Sequence, residues 1–144
     1  MVTPQPIDPR GPRFNQAVLA VGLLIGFVVD VRAVVPFFAV ALGLGAAFGA
    51  SFGPFLVLYR RMIQPRLGPP PHREDPRPPR FAATVGVIFL TASTVAFAAG
   101  ASGVGWALAL VVAALAGLAA STGLCVGCEI WLMVARRRGV EVVT

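Results

Sequence analysis

The chain reads as long apolar stretches separated by short polar punctuation. Residues 14–29, 33–59 and 81–128 contain no charged side chain, and only the segment with Asp30 and Arg32 separates the first two. A bilayer hydrocarbon core of about 30 Å needs roughly 20 helical residues at about 1.5 Å each. Residues 14–29 therefore predict one short span. Residues 33–59 predict a second, long enough to tilt or to bend at Pro36, Gly53 and Pro54. The tract 81–135 exceeds one crossing, and "GASG" at 100–103 divides it into helices at about 81–99 and 104–135. The pattern predicts an all-α integral membrane protein, a single membrane domain over 1–144 with four transmembrane helices.

Two near-identical heptapeptides punctuate this pattern, "DPRGPRF" at 8–14 and "DPRPPRF" at 75–81. Each precedes an odd-numbered helix and is followed by a helix hairpin. The expected organisation is a tandem repeat, 8–66 and 75–138, with a Pro/Arg-rich loop at 67–80. Two spans per unit give both units the same orientation, related by an axis along the membrane normal. The even helices carry the same signature: "GASFGP" at 49–54 aligns with "GLCVGC" at 123–128, Gly49 with Gly123 and Gly53 with Gly127. In each heptapeptide Asp8 and Asp75 are candidate N-caps followed by proline. Arg10, Arg13, Arg77 and Arg80 have two expected roles. They anchor lipid phosphates, or they pair across repeats, Asp8 with Arg77 or Arg80 and Asp75 with Arg10 or Arg13. Gly45, Gly49 and Gly53 form a small-xxx-small ladder on the second helix, where another backbone can approach closely. Pro54 adds a bend.

Composition sharpens the class. With 57% hydrophobic and 12% charged residues and a mean hydropathy of +0.82, a soluble domain is excluded. Of the twelve basic residues, all arginine, only Arg32 sits between the first two spans. The positive-inside bias therefore predicts a multi-pass cell-membrane protein with both termini and the central loop in the cytoplasm. No small-x-small cleavage site follows the first apolar stretch before Asp30, so that stretch is expected to be a retained helix rather than a signal peptide. A net charge of +6 would suggest nucleic acid in a soluble protein. Here the arginines flank spans, and the expected partner is the lipid bilayer, not nucleic acid.

Candidate chemistry is confined to few residues. Asn15, Gln16, Thr84, Thr91, Ser93, Thr94, Ser121 and Thr122 are the polar side chains within the spans; most can bond back to their own helix carbonyls, and a solute pathway would need more. The sharper signal is "STGLCVGCEIW" at 121–131, which holds both cysteines of the chain. Two cysteines placed at random would fall at this spacing in roughly one case in seventy. On a helix Cys125, Cys128 and Glu129 share a face. Trp106 and Trp131 read as aromatic-belt residues bracketing the last helix, which places the dithiol just inside the cytoplasmic interface. A reducing cytoplasm disfavours a permanent disulfide and favours reversible chemistry. If Gly123 breaks the helix, Cys125 lies near the N-terminus of the final segment, where its thiolate is favoured; Glu129 acts as an opposing modulator. The competing reading makes the cysteines small apolar packing residues. A closed metal site lacks ligands, since only Cys125, Cys128, Glu129 and the distant His72 are on offer. No cofactor, phosphate loop or catalytic Ser/His/Asp set is read from the chain.

The entrance motif "DPRGPRF", the two helix hairpins and the closing "GLCVGCEIW" followed by arginines resemble the bacterial domain-of-unknown-function family 4395, over roughly residues 7–136. The family brings no established activity. Its members are often encoded near thioredoxin-like and rhodanese-type sulfurtransferase genes, so the resemblance implies thiol or sulfur chemistry with such a protein as partner. The expected function is a membrane-embedded dithiol component of thiol redox or sulfur handling, with Cys125 and Cys128 accepting electrons or sulfane sulfur. The alternative is a non-catalytic scaffold or small-solute permeation unit whose cysteines only pack.

Overall fold

The computed structural model describes residues 6–49 and 53–140. Ser51, which the repeat alignment places opposite Cys125, lies outside them. Among the described residues the chain is helical, without strands: α1 (Arg10–Val28), α2 (Val34–Phe48), α3 (Pro54–Leu58), a π-helical turn (Tyr59–Ile63), α4 (Gln64–Leu67), α5 (Arg77–Ala98), α6 (Ser102–Thr122) and α7 (Val126–Arg137). Helices α1, α5 and α6 are long and apolar enough to cross a membrane. Large apolar side chains point outward along them, with Ile25, Val28, Ile88 and Val104 all more than half exposed. That distribution suits a lipid-facing surface rather than a water-facing one.

Both predicted even helices are broken. Residues 33–59 do not form one helix: α2 ends at Gly49, whose φ of 95° lies in the left-handed region, and α3 restarts behind Gly53 with Pro54 in its first turn. The 15 residues of α2 reach only about 22 Å, short of a hydrocarbon core. Residues 104–135 are likewise divided, because α6 ends at Gly123 in the left-handed conformation, φ 78°. Left-handed backbone ends a helix readily at glycine, which has no Cβ to clash. The glycine ladder is therefore not one face of one helix. Gly45 lies on α2 and Gly53 caps α3, and a Cβ on Gly45 would sit 3.5 Å from the Gly53 Cα. Small residues here let the chain fold back on itself.

The turns that follow α1 and α5 are built alike. After α1, Asp30 takes φ 54°, and Val31 N–H donates to the Gly26 carbonyl at 2.8 Å. After α5, Gly100 takes φ 82°, and Ala101 N–H donates to the Ala96 carbonyl at 2.9 Å. This backward bond satisfies a carbonyl that the helix end would leave bare. Asp30, which needs support in a conformation that suits glycine, accepts a hydrogen bond from the Trp106 indole at 3.2 Å. Trp106 is consequently not an aromatic-belt residue. It is 8% exposed and packs edge-on against Phe27 and Phe97.

Packing runs α1 against α6 and α2 against α5, with α5 also on α6 and α7. The buried positions of α6 are Gly105, Trp106, Ala109, Val112, Ala113, Ala116 and Ala119. Their spacing of three and four gives α1 a stripe of mostly small residues to lie on, which is how helices gain van der Waals contact in lipid. Leu19, Leu23, Val35, Phe38, Leu42 and Leu90 fill the space between. The prediction that span hydroxyls bond back to their own helices is met by Thr84, Thr94, Ser121 and Thr122. Ser93 instead crosses to the Gly105 carbonyl at 2.6 Å while fully buried.

Candidate dithiol site

The break after α6 positions the cysteines. Gly123 turns the chain, the Leu124 N–H is taken by Thr122 Oγ1 at 3.2 Å, and Cys125 is extended, φ −88° and ψ 109°. Cys125 thereby becomes the N-cap of α7. Its Sγ accepts the Cys128 N–H at 3.4 Å, and its carbonyl accepts the Glu129 N–H at 2.9 Å. The expected single helical face is replaced by a cap: the first thiol stands at the N-terminus and looks down on the second. The four free N–H groups of a helix start and its dipole favour a negative sulfur there.

Both thiols are free and half-buried. The Cys125 thiol is lowered to about 6, first because the Cys128 thiol hydrogen-bonds to it; burial opposes this, and the Cys128 and Gly127 N–H groups and the Gln16 amide add to the lowering. Cys128 shifts the other way, since its proton is held by Cys125 and burial and the charges of Cys125, Glu74 and Glu129 disfavour a second anion. Cys125 lies three residues beyond the end of α6, outside the three candidate spans. One thiolate nucleophile and one protonated resolving thiol are the parts that disulfide exchange needs. Among the described residues no group of three or more His, Cys, Asp or Glu side chains comes together as a metal site.

Gln16, noted in the sequence only as one polar span residue, belongs to this site. Its Nε2 donates to Cys125 Sγ at 3.7 Å, while its Oε1 is buried with no partner. A buried unpaired acceptor costs free energy, about 1–3 kcal/mol, and an amide within an apolar span was the signal that could have marked it. Gln16 and Cys125 line a cavity of about 150 Å³ between α1, α2, α5 and α6. Its walls are mostly apolar, with Leu19, Leu42, Phe89, Val112 and Leu115; Asn15 and Arg80 are further polar groups on it. A second, more polar cavity of about 440 Å³ lies at the heptapeptides and shares Ile7, Pro12, Leu56, Pro76 and Arg80 with the first.

Among the described residues, the acid–arginine pairs of the heptapeptides are local and do not run from one heptapeptide to the other. Arg10 N–H donates to Asp8 at 2.9 Å and its guanidinium closes on the same carboxylate; Arg77 treats Asp75 identically, with an ion pair of 2.6 Å. Two residues of separation put the guanidinium within reach of its own Asp, so the local pair forms first. Burial opposes ionisation of Asp8, but the Arg10 side chain and N–H and the Tyr59 hydroxyl together hold its pKa below the ordinary value. Each Asp stands one place before the proline cap rather than at the cap itself. The crossing is made by the second arginine of each heptapeptide, and its partner is a helix end. Arg80 donates to the Ala46 and Ala47 carbonyls at the end of α2, at 2.9 and 3.2 Å. Arg13 lies over the end of α6, where a Cβ on Gly123 would overlap its Nη2. Cations at helix C-termini complement bare carbonyls and the dipole. Gly127 holds α7 close to α5, since a Cβ there would come within 2.8 Å of the Ala82 Cβ.

Comparison with known proteins gives one family and nothing nearer: no curated protein and no solved structure matches the chain. The model of the family described as a domain of unknown function, DUF4395, matches residues 7–136. The match spans both heptapeptides, both helix breaks and the two cysteines, and the chain belongs to that family.

Proposed function

We propose that this chain is a membrane-embedded dithiol protein of thiol redox or sulfur handling, working at the cell membrane with a cytoplasmic thioredoxin-like or rhodanese-type partner. The observation that carries the reading is Cys125 as the cap of α7, with its sulfur receiving the Cys128 N–H. In the redox branch the oxidised pair is a Cys125–Cys128 disulfide. A partner thiolate attacks Cys128, and Cys125 leaves as the stabilised thiolate. A second partner thiol then attacks the mixed disulfide, closing the partner's own disulfide and releasing Cys128, which takes up a proton. Two electrons pass to this chain. In the sulfur branch the Cys125 thiolate attacks the terminal sulfur of a partner persulfide; an S–S bond forms to Cys125 and the partner leaves as thiolate.

The setting is proposed to be a tandem repeat with four crossings and cytoplasmic termini. In support, Ile7 and Glu74, equivalent residues just before the two Asp positions, exchange both backbone hydrogen bonds at 2.8 and 2.9 Å. Equivalent residues pair with each other in this way only near a two-fold axis. The matching Asp–Arg pairs, the turns after α1 and α5, and the arginine lying at each helix break follow the same relation, and in this reading α2 and the chain after its break make the fourth crossing. The cavity that reaches Cys125 favours chemistry over a scaffold in which the cysteines only pack.

The test is alkylation followed by mass measurement on membranes kept without reductant. Mild oxidant or a persulfide donor should modify the pair, dithiothreitol or thioredoxin should reverse it, and Cys125→Ser should abolish it. Thiols that stay unmodified in both treatments return the site to packing.

A further inference from the structure

We propose that the cavity beside Cys125 receives the ring of a lipid-soluble quinone, which accepts the electrons of the dithiol. The inference rests on the redox branch of the reading above and names the oxidant which that branch lacks.

The cavity lies among helices fit to cross a membrane, and its walls are chiefly aliphatic and aromatic. A charged oxidant would lose its hydration there at a cost of several kcal/mol or more. An apolar one would not. At about 150 Å³ the space matches apolar protein cavities that accept a single benzene-sized ring. Val111 and Leu115, which line it, are also 45% and 43% exposed, so the wall formed by α6 can be reached from the lipid side and a hydrocarbon tail can lie along it.

Polar chemistry is concentrated where the ring's oxygens would need it. Asn15 and Gln16 are both on the cavity wall. An amide nitrogen can donate to a quinone carbonyl, whereas Gln16 Oε1, buried without a partner, suits the hydroxyl that appears on reduction. The site is thus arranged for a ligand that arrives as an acceptor and leaves as a donor. Cys125 lines the cavity, and Cys128 is not among its lining residues. That division fits a first thiol that meets the ring and a second that resolves from behind.

The reaction balances. The Cys125 thiolate adds to a ring carbon of the quinone, forming a C–S bond and placing the electron pair on an oxygen. Cys128, giving up its proton, attacks the Cys125 sulfur. The S–S bond forms, the C–S bond breaks, and the hydroquinone departs with both electrons, one proton from Cys128 and one from solvent. The dithiol is oxidised and the quinone reduced.

The experiment uses the full chain, reduced, freed of reductant and reconstituted in phosphatidylethanolamine and phosphatidylglycerol vesicles. Decylubiquinone is the probe, because its fully substituted ring resists forming stable thiol adducts. Quinone loss is followed by ultraviolet absorbance, and the protein by thiol titration and mass. Hydroquinone should appear in equal amount to protein disulfide, and Cys125→Ser should form none. Gly86→Leu and Ala83→Leu, which add side chain to the cavity wall, should each slow quinone reduction at least about tenfold, equivalent to roughly 1.4 kcal/mol. Closure of the disulfide by diamide serves as the control that each variant is folded. Unreduced quinone beside normal diamide closure overturns the inference and leaves the dithiol reading standing. Wild-type rates in a folded, filled variant overturn the cavity as the site. Thiols inert to both reagents remove the dithiol reading itself.

Discussion

Cys125 caps α7 through its sulfur, the same atom that the proposed function makes the nucleophile, and the two roles can be separated by substitution. Serine caps a helix at least as well as cysteine, so Cys125→Ser should keep α7 and lose the disulfide and the reactive thiolate. Cys125→Ala should lose both, at a cost of about 1 kcal/mol, read as a lower melting temperature in detergent. The pH profile gives a second test. With its pKa at about 6, Cys125 should be alkylated at a rate that rises as pH increases through 6 and is flat above 7. Because the Cys128 thiol is the largest cause of the lowering, Cys128→Ala should move that inflection upward, toward the ordinary value. An unchanged profile in the variant would sink this account of the pair. Both cysteines and Glu129 were legible as a candidate site in the sequence. Gln16 was not, because 109 positions separate it from Cys125.

At the scale of elements, the two helix breaks explain why the dithiol has a helix start to occupy. Gly123 is left-handed, so alanine there should cost about 1–2 kcal/mol in backbone strain. Gly49, at φ 95° and ψ 178°, lies in a region open essentially to glycine, where alanine should cost about 1–3 kcal/mol. The surroundings differ. A Cβ at Gly49 meets nothing within 4 Å, whereas at Gly123 it meets the Arg13 guanidinium. Both alanine variants should therefore lower stability, Gly49→Ala through backbone strain and Gly123→Ala also through the Arg13 clash, and only Gly123→Ala should alter Cys125 reactivity; thermal unfolding and alkylation rates check both halves. The glycines and Pro54 were visible in the sequence as bends. Only the fold brings the other half of the chain to these helix ends, with Arg80 donating to the Ala46 and Ala47 carbonyls and Arg13 lying against Gly123.

For the whole molecule, the central prediction is the relation between halves. Ile7→Cys with Glu74→Cys, in a background where Cys125 and Cys128 are serine, should form a disulfide. A residue pair that exchanges both backbone bonds brings its Cα atoms to about 5.5 Å, inside the disulfide range. Failure to crosslink under oxidant would remove the two-fold contact. Reporter fusions at Gly68 and at the C-terminus should both give cytoplasmic signals, and a periplasmic signal at either rules out the proposed topology.

The sequence by itself determined the all-helical class, the membrane setting, the duplicated heptapeptides and the places where helices can break. Each of these is written in neighbouring residues: an uncharged run long enough for a bilayer, a heptapeptide stated twice, a glycine that admits left-handed backbone. Only the tertiary structure decided that α2 falls short of a full span, that Trp106 is buried on Asp30, that Arg80 is placed on the end of α2, and that the Asp–Arg pairs close locally while Gln16 and a cavity meet Cys125. These depend on which helices pack together, because contacts between residues distant along the chain are set by the fit of whole helix faces, which no local pattern records.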